Sequence, residues 1–334
     1  MSMQAHDPQP VHHIGVCLDR SPVGDRIMPH AVAVARAFGA KLTVVHALEP
    51  PHEGPVATPT DPLDWEVQRA EARRHVEAVK SDHAADNLRV GSEILEGRPA
   101  EEIRDWVSSH GVDLTVLASH GASGWTEWSL ASTARKLVEG ISGSVLLVPA
   151  WSVQEPVERD VTYDCILVLL DGSLRSESVL PVASGLARAY GSELLLLHVV
   201  PAPEPSCAGA LEAEEHDLDQ RLEARNARAA EVYLADIKKR VVREGARVRT
   251  LVTIERDVRG EILRRVAHDH VDLLVFSGHG HGGRSELPFG SVASFLLEHS
   301  TVPVLVVREL TPPVGTPPRS RSRGGVRLPQ QTES

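Results

Sequence analysis

The residues with the clearest chemical potential lie in one glycine-rich stretch, Ser277–Ser291, which reads SGHGHGGRSELPFGS. It follows an apolar run that predicts a buried strand, and it leads into a predicted helix that begins at Val292. Glycines let a backbone turn sharply and lie close to a ligand. A helix N-terminus adds N–H groups and a positive dipole end, so the combination predicts a site for an anion such as phosphate. A glycine-rich turn without a ligand is the alternative interpretation.

The glycine spacing in this stretch matches neither of the two common phosphate-binding motifs. The pattern G-x-G-x-x-G is present at Gly278, Gly280 and Gly283. Its dinucleotide-binding form follows the first strand of a βαβ unit and has an acidic residue about 20 residues further on. This stretch follows a late strand instead, and the Gly-Lys-Ser/Thr of a P-loop occurs near no predicted strand end. The pattern therefore predicts an anion site of another class.

Composition restricts the class of protein. The chain has 334 residues, enough for two domains, and it is 42% hydrophobic but only 4% aromatic. Such a composition favours aliphatic parallel strands under helices. The formal net charge of −11 opposes binding to the phosphates of nucleic acid.

Cysteine usage and the lack of long apolar runs indicate the compartment. Three cysteines stand at irregular spacing, Cys17, Cys165 and Cys207, which is typical of a reducing environment and not of a disulfide framework. No apolar run is long enough to cross a bilayer, and the N-terminus has no signal-peptide core. We therefore expect a cytoplasmic protein that binds neither nucleic acid nor membranes.

An internal repeat divides the chain into two copies, and such a repeat decides the fold. Ile14–Asp19 (IGVCLD) matches Ile166–Asp171 (ILVLLD). Further blocks match along both halves, among them Ala37–His46 with Ala189–His198 and Val145–Val148 with Val304–Val307. We predict a first domain over residues 9–150 and a second over residues 162–309. Residues 310–334 are rich in Pro, Ser, Gly and Arg, which predicts a disordered tail or, alternatively, a docking segment for an acidic partner.

Each copy is predicted to alternate strands with helices. The predicted strands are His12–Leu18, Lys41–Ala47, Arg89–Leu95, Leu114–Ala118, Ser144–Val148, Tyr163–Leu170, Glu193–Val199, Val248–Ile254, Leu273–Phe276 and Val304–Val307. The predicted helices are Asp25–Phe38, Asp64–Asp86, Pro99–His110, Thr126–Gly140, Ser176–Tyr190, His216–Glu244, Gly260–His270 and Val292–His299. This alternation predicts an α/β fold of two tandem, doubly wound, five-stranded parallel sheets of Rossmann-like type.

Ligands of such sheets bind beyond the carboxyl ends of the strands, where the strand order reverses. Asp171 and the loop that begins at Ser277 both follow predicted strands, so they converge if the first and fourth strands are neighbours. The simpler alternatives are that Asp171, Gly172 and Ser173 form a plain turn with a helix cap, and that Ser291 only caps its helix.

At this point the pattern resembles the universal stress protein family in its tandem two-domain form, from His12 to Arg308. ATP-binding members of that family carry an Asp at the end of the first strand and a late motif, G-x-x-G-(nine residues)-G-[ST]. In the second copy, serine replaces the first glycine of the motif, and a glycine follows directly. The residues that the resemblance implies for nucleotide binding are Asp171, Gly172, Val199, Ser277, Gly278, Gly280, Gly290 and Ser291.

The first copy carries a degenerate form of the same motif. Its counterparts are Asp19, Gly121 and Ser132, while Ala118 and Ala131 replace two glycines. Each added Cβ narrows the space for a phosphate, so the resemblance implies a weaker second site or none.

By resemblance, the chain is an ATP-binding regulatory protein of the stress response, with or without Mg²⁺, and with little or no turnover. No nucleophile elbow or catalytic base is recognisable, so we expect no enzyme; a slow ATPase and a nucleotide-free interaction module are the alternatives. Histidines such as His279 and His281 lack metal-site spacing, so we expect no metal ligands. The family pairs the edges of its last strands, which implies an internal pseudo-dimer and leaves room for a homodimer.

Overall fold

The computed structural model describes residues 11–19, 24–50, 62–83, 88–119, 132–149, 160–202, 213–278 and 289–308. The first copy comprises β1 His13–Cys17, α1 Met28–Phe38, β2 Lys41–Leu48, α2 Pro62–His83, β3 Val90–Glu96, α3 Pro99–Ser109, β4 Leu114–Ala118, α4 Ser132–Gly140 and β5 Ser144–Val148. The second comprises β6 Cys165–Leu169, α5 Leu174–Glu177, α6 Leu180–Tyr190, β7 Glu193–Pro201, α7 Ala213–Arg243, β8 Arg247–Glu255, α8 Val258–His268, β9 Leu273–Ser277, α9 Ser291–His299 and β10 Val304–Val307.

The strands form one ten-stranded sheet in the order β3-β2-β1-β4-β5-β10-β9-β6-β7-β8. Within each copy all neighbouring strands are parallel. The predicted α/β fold with two tandem parallel sheets is confirmed. Since β1 lies beside β4 and β6 beside β9, the condition for Asp171 to approach the glycine loop is also met.

The two copies join where their last strands pair. β5 and β10 run antiparallel, with Val145 opposite Val306 and Leu147 opposite Val304. All four side chains are buried. Two apolar edges, each of which would be an aggregation hazard alone, therefore cover one another.

Helices cover both faces of the sheet, because its strands are apolar on both faces. One hydrophobic cluster contains side chains of α1, α2, α6 and α7. The other contains side chains of α3, α4, α8 and α9. None of the helices in the described ranges is long and apolar enough to span a membrane.

Two predicted helices are broken near their beginnings, and the predictions of single helices over Asp25–Phe38 and Ser176–Tyr190 are wrong there. The first copy has a 3₁₀ turn, Gly24–Ile27, before α1, and the second has α5 before α6. A proline stands in the first turn of both α1 and α6. Proline cannot donate a backbone hydrogen bond and clashes with the preceding turn, so a new helix starts at each. The predicted segment 126–131 of the fourth helix lies outside the described residues.

The copies also meet on one face of the sheet, through α1 and α6. The ring of Phe38 packs against Gly185. A Cβ added to Gly185 would lie 2.4 Å from the Cε1 atom of that ring. Tyr190 donates its hydroxyl hydrogen to the carbonyl of Ala33 at 2.7 Å. The copies are therefore joined by helix packing as well as by strand pairing.

Candidate functional site

A cavity of about 370 Å³ opens at the carboxyl ends of the second copy's strands. Strands β6, β7 and β9 form its floor, and the first turns of α8 and α9 form its walls. The described residues that line it are Leu169, Leu170, Asp171, Ser176, Leu197, Val199, Val258, Ile262, Phe276, Ser277, Gly278, Gly290, Ser291, Val292 and Ala293. Six of the eight residues predicted to bind nucleotide are in this set. Gly172 lies beside Asp171 without lining the cavity, and Gly280 lies outside the described residues.

Asp171 lines the cavity from a tight turn after β6. Its Oδ1 accepts hydrogen bonds from the backbone N–H of Ser173 at 3.0 Å and from the Ser173 hydroxyl at 2.6 Å. The Ser173 hydroxyl oxygen in turn accepts from the N–H of Ser176 at 3.1 Å, which caps α5. Gly172 has a φ of +82°, a conformation that glycine adopts at little cost. The turn and cap interpretation therefore describes the local structure correctly, and the same turn fixes a carboxylate at the cavity.

The N-terminus of α9 also lines the cavity. Gly290 is the N-cap in extended conformation, with φ −72° and ψ 162°, and no side chain caps the helix. The interpretation of Ser291 as the helix cap is wrong, because Ser291 is the first helical residue. The N–H groups of a first turn have no intrahelical partner, and the residues from Ser291 to Ala293 line the cavity. This end therefore offers backbone donors and the positive end of a helix dipole.

The strand end at β9 is held against this helix start. The N–H of Gly290 donates to the carbonyl of Gly278 at 3.1 Å, so the two glycines lie side by side. Among the described residues, no atom would lie within 4 Å of a Cβ added to Gly290. None of them therefore blocks the approach of a ligand to the backbone there.

The walls of the cavity are apolar, and except for Val199 the sequence did not predict their residues. Val258 and Ile262 of α8 line it together with Leu197 and Val199 of β7. The only available signal for Ile262 is the repeat, in which Glu261-Ile262 matches Glu102-Ile103. That signal indicated a core position in a helix but not which strand end the helix covers.

The charge distribution of the cavity is simple. Asp171 is the only ionisable side chain among the described lining residues. His198, behind it in β7, packs edge-on against Tyr233 with ring centroids 6.2 Å apart. Burial lowers the pKa of His198, while the nearby Asp171 acts in the opposite direction. Across the described ranges, no three His, Cys, Asp or Glu side chains come together as a metal site.

The first copy has only part of a comparable arrangement within the described residues. Asp19 follows β1, and Ser132 begins α4, so both stand at the carboxyl edge of their sheet. Gly121 lies outside the described residues. Ala118, the counterpart of Ser277, ends β4. His46, the counterpart of His198, bonds through Nδ1 to the carbonyl of Leu18 at 2.8 Å, as expected of a histidine with a structural role.

Comparison with known proteins agrees with this fold. The family model described as "Universal stress protein family" matches residues 10–149 and 162–308. Universal stress protein Rv2005c of Mycobacterium tuberculosis is 26% identical over 317 residues, covering 90% of this chain and 99% of that protein. Universal stress protein YxiE of Bacillus subtilis is 31% identical over 151 residues, covering 44% of this chain and 99% of that protein. A universal stress protein from Archaeoglobus fulgidus has the same fold, with a TM-score of 0.61 at 17% identity, covering 90% of this chain and 99% of that chain.

Proposed function

Because this chain belongs to the universal stress protein family, we propose that its second copy binds ATP as a regulatory ligand of the stress response. The ATP is held with little or no turnover. The observation that carries the proposal is that Asp171 and the start of α9 line the same cavity. Its volume of about 370 Å³ lies in the range of small-molecule sites, roughly 300–1,000 Å³.

The groups that line the cavity suit the two ends of a nucleotide. In this proposal the carboxylate of Asp171 accepts hydrogen bonds from the adenosine, and the backbone at Val199 lies beside it; both residues line the cavity. The N–H groups from Ser291 onward and the helix dipole suit phosphate. The space that the described residues leave in front of Gly290 supports this fit, because a Cβ there would stand where a phosphate approaches. In this proposal the apolar walls enclose the base.

Low turnover is expected from the groups that the site offers. Phosphoryl transfer needs neutralising cations, usually Mg²⁺ with Lys or Arg, and a group that orients the nucleophile. The stretch Ser277–Ser291 contains one arginine, one glutamate and no lysine. In the proposed site Asp171 binds the adenosine, so it is badly placed to orient a water molecule at the terminal phosphate. The nucleotide is therefore a bound signal, with or without Mg²⁺.

The first copy is proposed to bind ATP more weakly or not at all. Two glycines of its motif are replaced, by Ala118 and Ala131. A methyl group at either position reduces the approach of a phosphate to the backbone. The tandem chain is therefore asymmetric in function as well as in sequence.

Titration calorimetry with ATP on the whole chain tests the proposal. Gly290→Asp places a carboxylate at the start of α9 and should abolish ATP binding, whereas the matched Ala131→Asp in the first copy should leave it within about twofold of wild type. If only Ala131→Asp abolished binding, the assignment of the site would be wrong. Wild-type protein that bound no ATP and co-purified with no nucleotide would favour the interaction module.

A further inference from the structure

Arg308, the residue after β10, reaches from the second copy into the first. Its Nη2 donates to the carbonyl of Val138 at 2.7 Å, and its Nη1 donates to the carbonyl of Ile141. Both carbonyls lie at the C-terminal end of α4, where a helix leaves acceptors without intrahelical partners. A cation is also the charge that this end of the helix dipole favours. Arg308 therefore closes the end of a helix that belongs to the other copy.

The same guanidinium lies over the ring of Phe289, 4.7 Å from the ring centroid. Phe289 is buried and directly precedes Gly290, the N-cap of α9. The ring also lies near the end of β9, since a Cβ added to Gly278 would be 3.5 Å from its Cδ1 and Cε1 atoms. A cation–π contact in a desolvated position holds an aromatic ring firmly. Arg308 thus supports the two glycines that face the cavity.

In the part of the chain that the structure describes, the first copy has no arginine at the position that corresponds to Arg308. Val148 and Val307 are matched by the repeat, so Pro149 stands in the first copy where Arg308 stands in the second. Proline has no side-chain donor and cannot bind the end of a helix in the other copy. The two halves are therefore joined by an unequal contact, which links α4 of the first copy to the ligand cavity of the second.

Helix α4 connects this contact to the motif of the first copy. α4 begins at Ser132, at the carboxyl edge of the first copy and in its degenerate motif, and it ends at the carbonyls that Arg308 binds. Nine residues form it, a single rigid unit of about 14 Å at 1.5 Å per residue. A shift of this helix would therefore move the carbonyls of Val138 and Ile141 that Arg308 binds.

We infer that Arg308 is a positioning residue for the second copy's ATP site and that it couples the site to α4 of the first copy. The inference rests on the proposed function. Because coupling between sites is reciprocal, ATP should order the end of α4, and loosening α4 should weaken ATP binding. The first copy then acts as a built-in regulatory subunit of the second.

The test uses the whole chain and two measurements. Titration calorimetry gives ATP affinity for wild type, Arg308→Met and Arg308→Lys, and amide hydrogen exchange follows the C-terminal turn of α4 with and without ATP. Arg135→Met is the matched control, because it removes another arginine contact between the copies, the bond from Arg135 of α4 to Glu298. That pair is partly exposed, at 45% and 27% of the two side chains, so its loss should change little.

We expect Arg308→Met to weaken ATP binding about tenfold, a typical coupling between sites, and Arg308→Lys to restore part of the loss. In wild type, ATP should slow amide exchange at the end of α4; in Arg308→Met it should not. A merely structural arginine would lower stability yet leave the ATP-dependent protection intact. Wild type that binds ATP while Arg308→Met binds it equally would overturn this inference alone. Wild type that binds no ATP would overturn the proposed function, and this inference with it.

Discussion

The Nδ1 atom of His30 in α1 lies 3.0 Å from the hydroxyl oxygen of Tyr163, at the boundary between the two copies. The rings stack with centroids 6.0 Å apart, and Tyr163 is only 1% exposed. Burial lowers the pKa of His30 from 6.5 to about 4. The contact between the copies therefore contains a histidine that is neutral when folded.

This histidine predicts acid sensitivity of the fold. The unfolded chain binds a proton at His30 below about pH 6.5, whereas the folded chain binds it only near pH 4. The contribution of the neutral His30 to the free energy of unfolding is therefore complete above pH 6.5. It is lost progressively as the pH falls from 6.5 towards 4, by about 3 kcal/mol in total. Urea unfolding at a series of pH values measures the slope.

His30→Gln provides the control for that experiment, since it keeps a polar side chain but cannot titrate. The stability of this variant should depend less on pH across the same window, with the remaining slope due to other buried histidines such as His13, whose pKa burial also lowers. Equal slopes for wild type and variant would show that His30 does not couple folding to protons.

Packing at Gly185 predicts a second effect on stability. Gly185→Ala places a Cβ 2.4 Å from Cε1 of Phe38, so the ring must move. Overpacking of this kind costs about 1–3 kcal/mol, measured as a fall in the free energy of unfolding in urea. Phe38→Leu in the same chain should recover part of that loss. A double variant as unstable as the sum of the two single variants would contradict the contact.

Separation of the two halves should expose the joined strands. Residues 9–150 and 162–309, expressed separately, are expected to self-associate or aggregate and to bind one another when mixed, because each carries an apolar edge strand. Size-exclusion chromatography with light scattering measures this. Halves that stayed monomeric and as stable as the whole chain would rule out a structural role for the pairing of β5 with β10.

The proposed site predicts very slow chemistry. Single-turnover hydrolysis of bound, labelled ATP, with and without Mg²⁺, should give a rate far below the enzyme median of about 10 per second. Glu286 carries the carboxylate of the glycine-rich stretch, so the variant Glu286→Gln tests most directly for a catalytic base. Fast Mg²⁺-dependent release that disappeared in Glu286→Gln would make Glu286 a base and the protein an ATPase.

The sequence was sufficient for the fold and for part of the cavity lining. The repeat and the alternation of strands with helices predicted the two parallel sheets, because these features depend on local periodicity. The positions of Asp171 and Gly290 followed from the ends of predicted elements, whereas their assignment to a nucleotide came from the family resemblance and stays a prediction. The proline in the first turn of α6 also indicates that a new helix starts there. The apolar pattern instead favoured a single helix over Ser176–Tyr190.

The rest depended on tertiary placement. Val258 and Ile262 reach the cavity only because α8 crosses the sheet beside β7, and no spacing along the chain encodes that position. Arg308 looked like the end of the second domain, while its partners Val138 and Ile141 belong to the first. A residue whose contacts lie more than a hundred positions away has no local signature.

The antiparallel pairing of β5 with β10 has a consequence for concentrated solutions. The same strand contacts form equally well when the first half of one chain meets the second half of another. Two chains that exchange halves in this way satisfy both junctions and leave no open edge, so the exchange closes at a dimer and does not grow into a fibre. Refolding at high concentration should therefore yield a domain-swapped dimer with the same junction contacts, and dilution before refolding should yield the monomer.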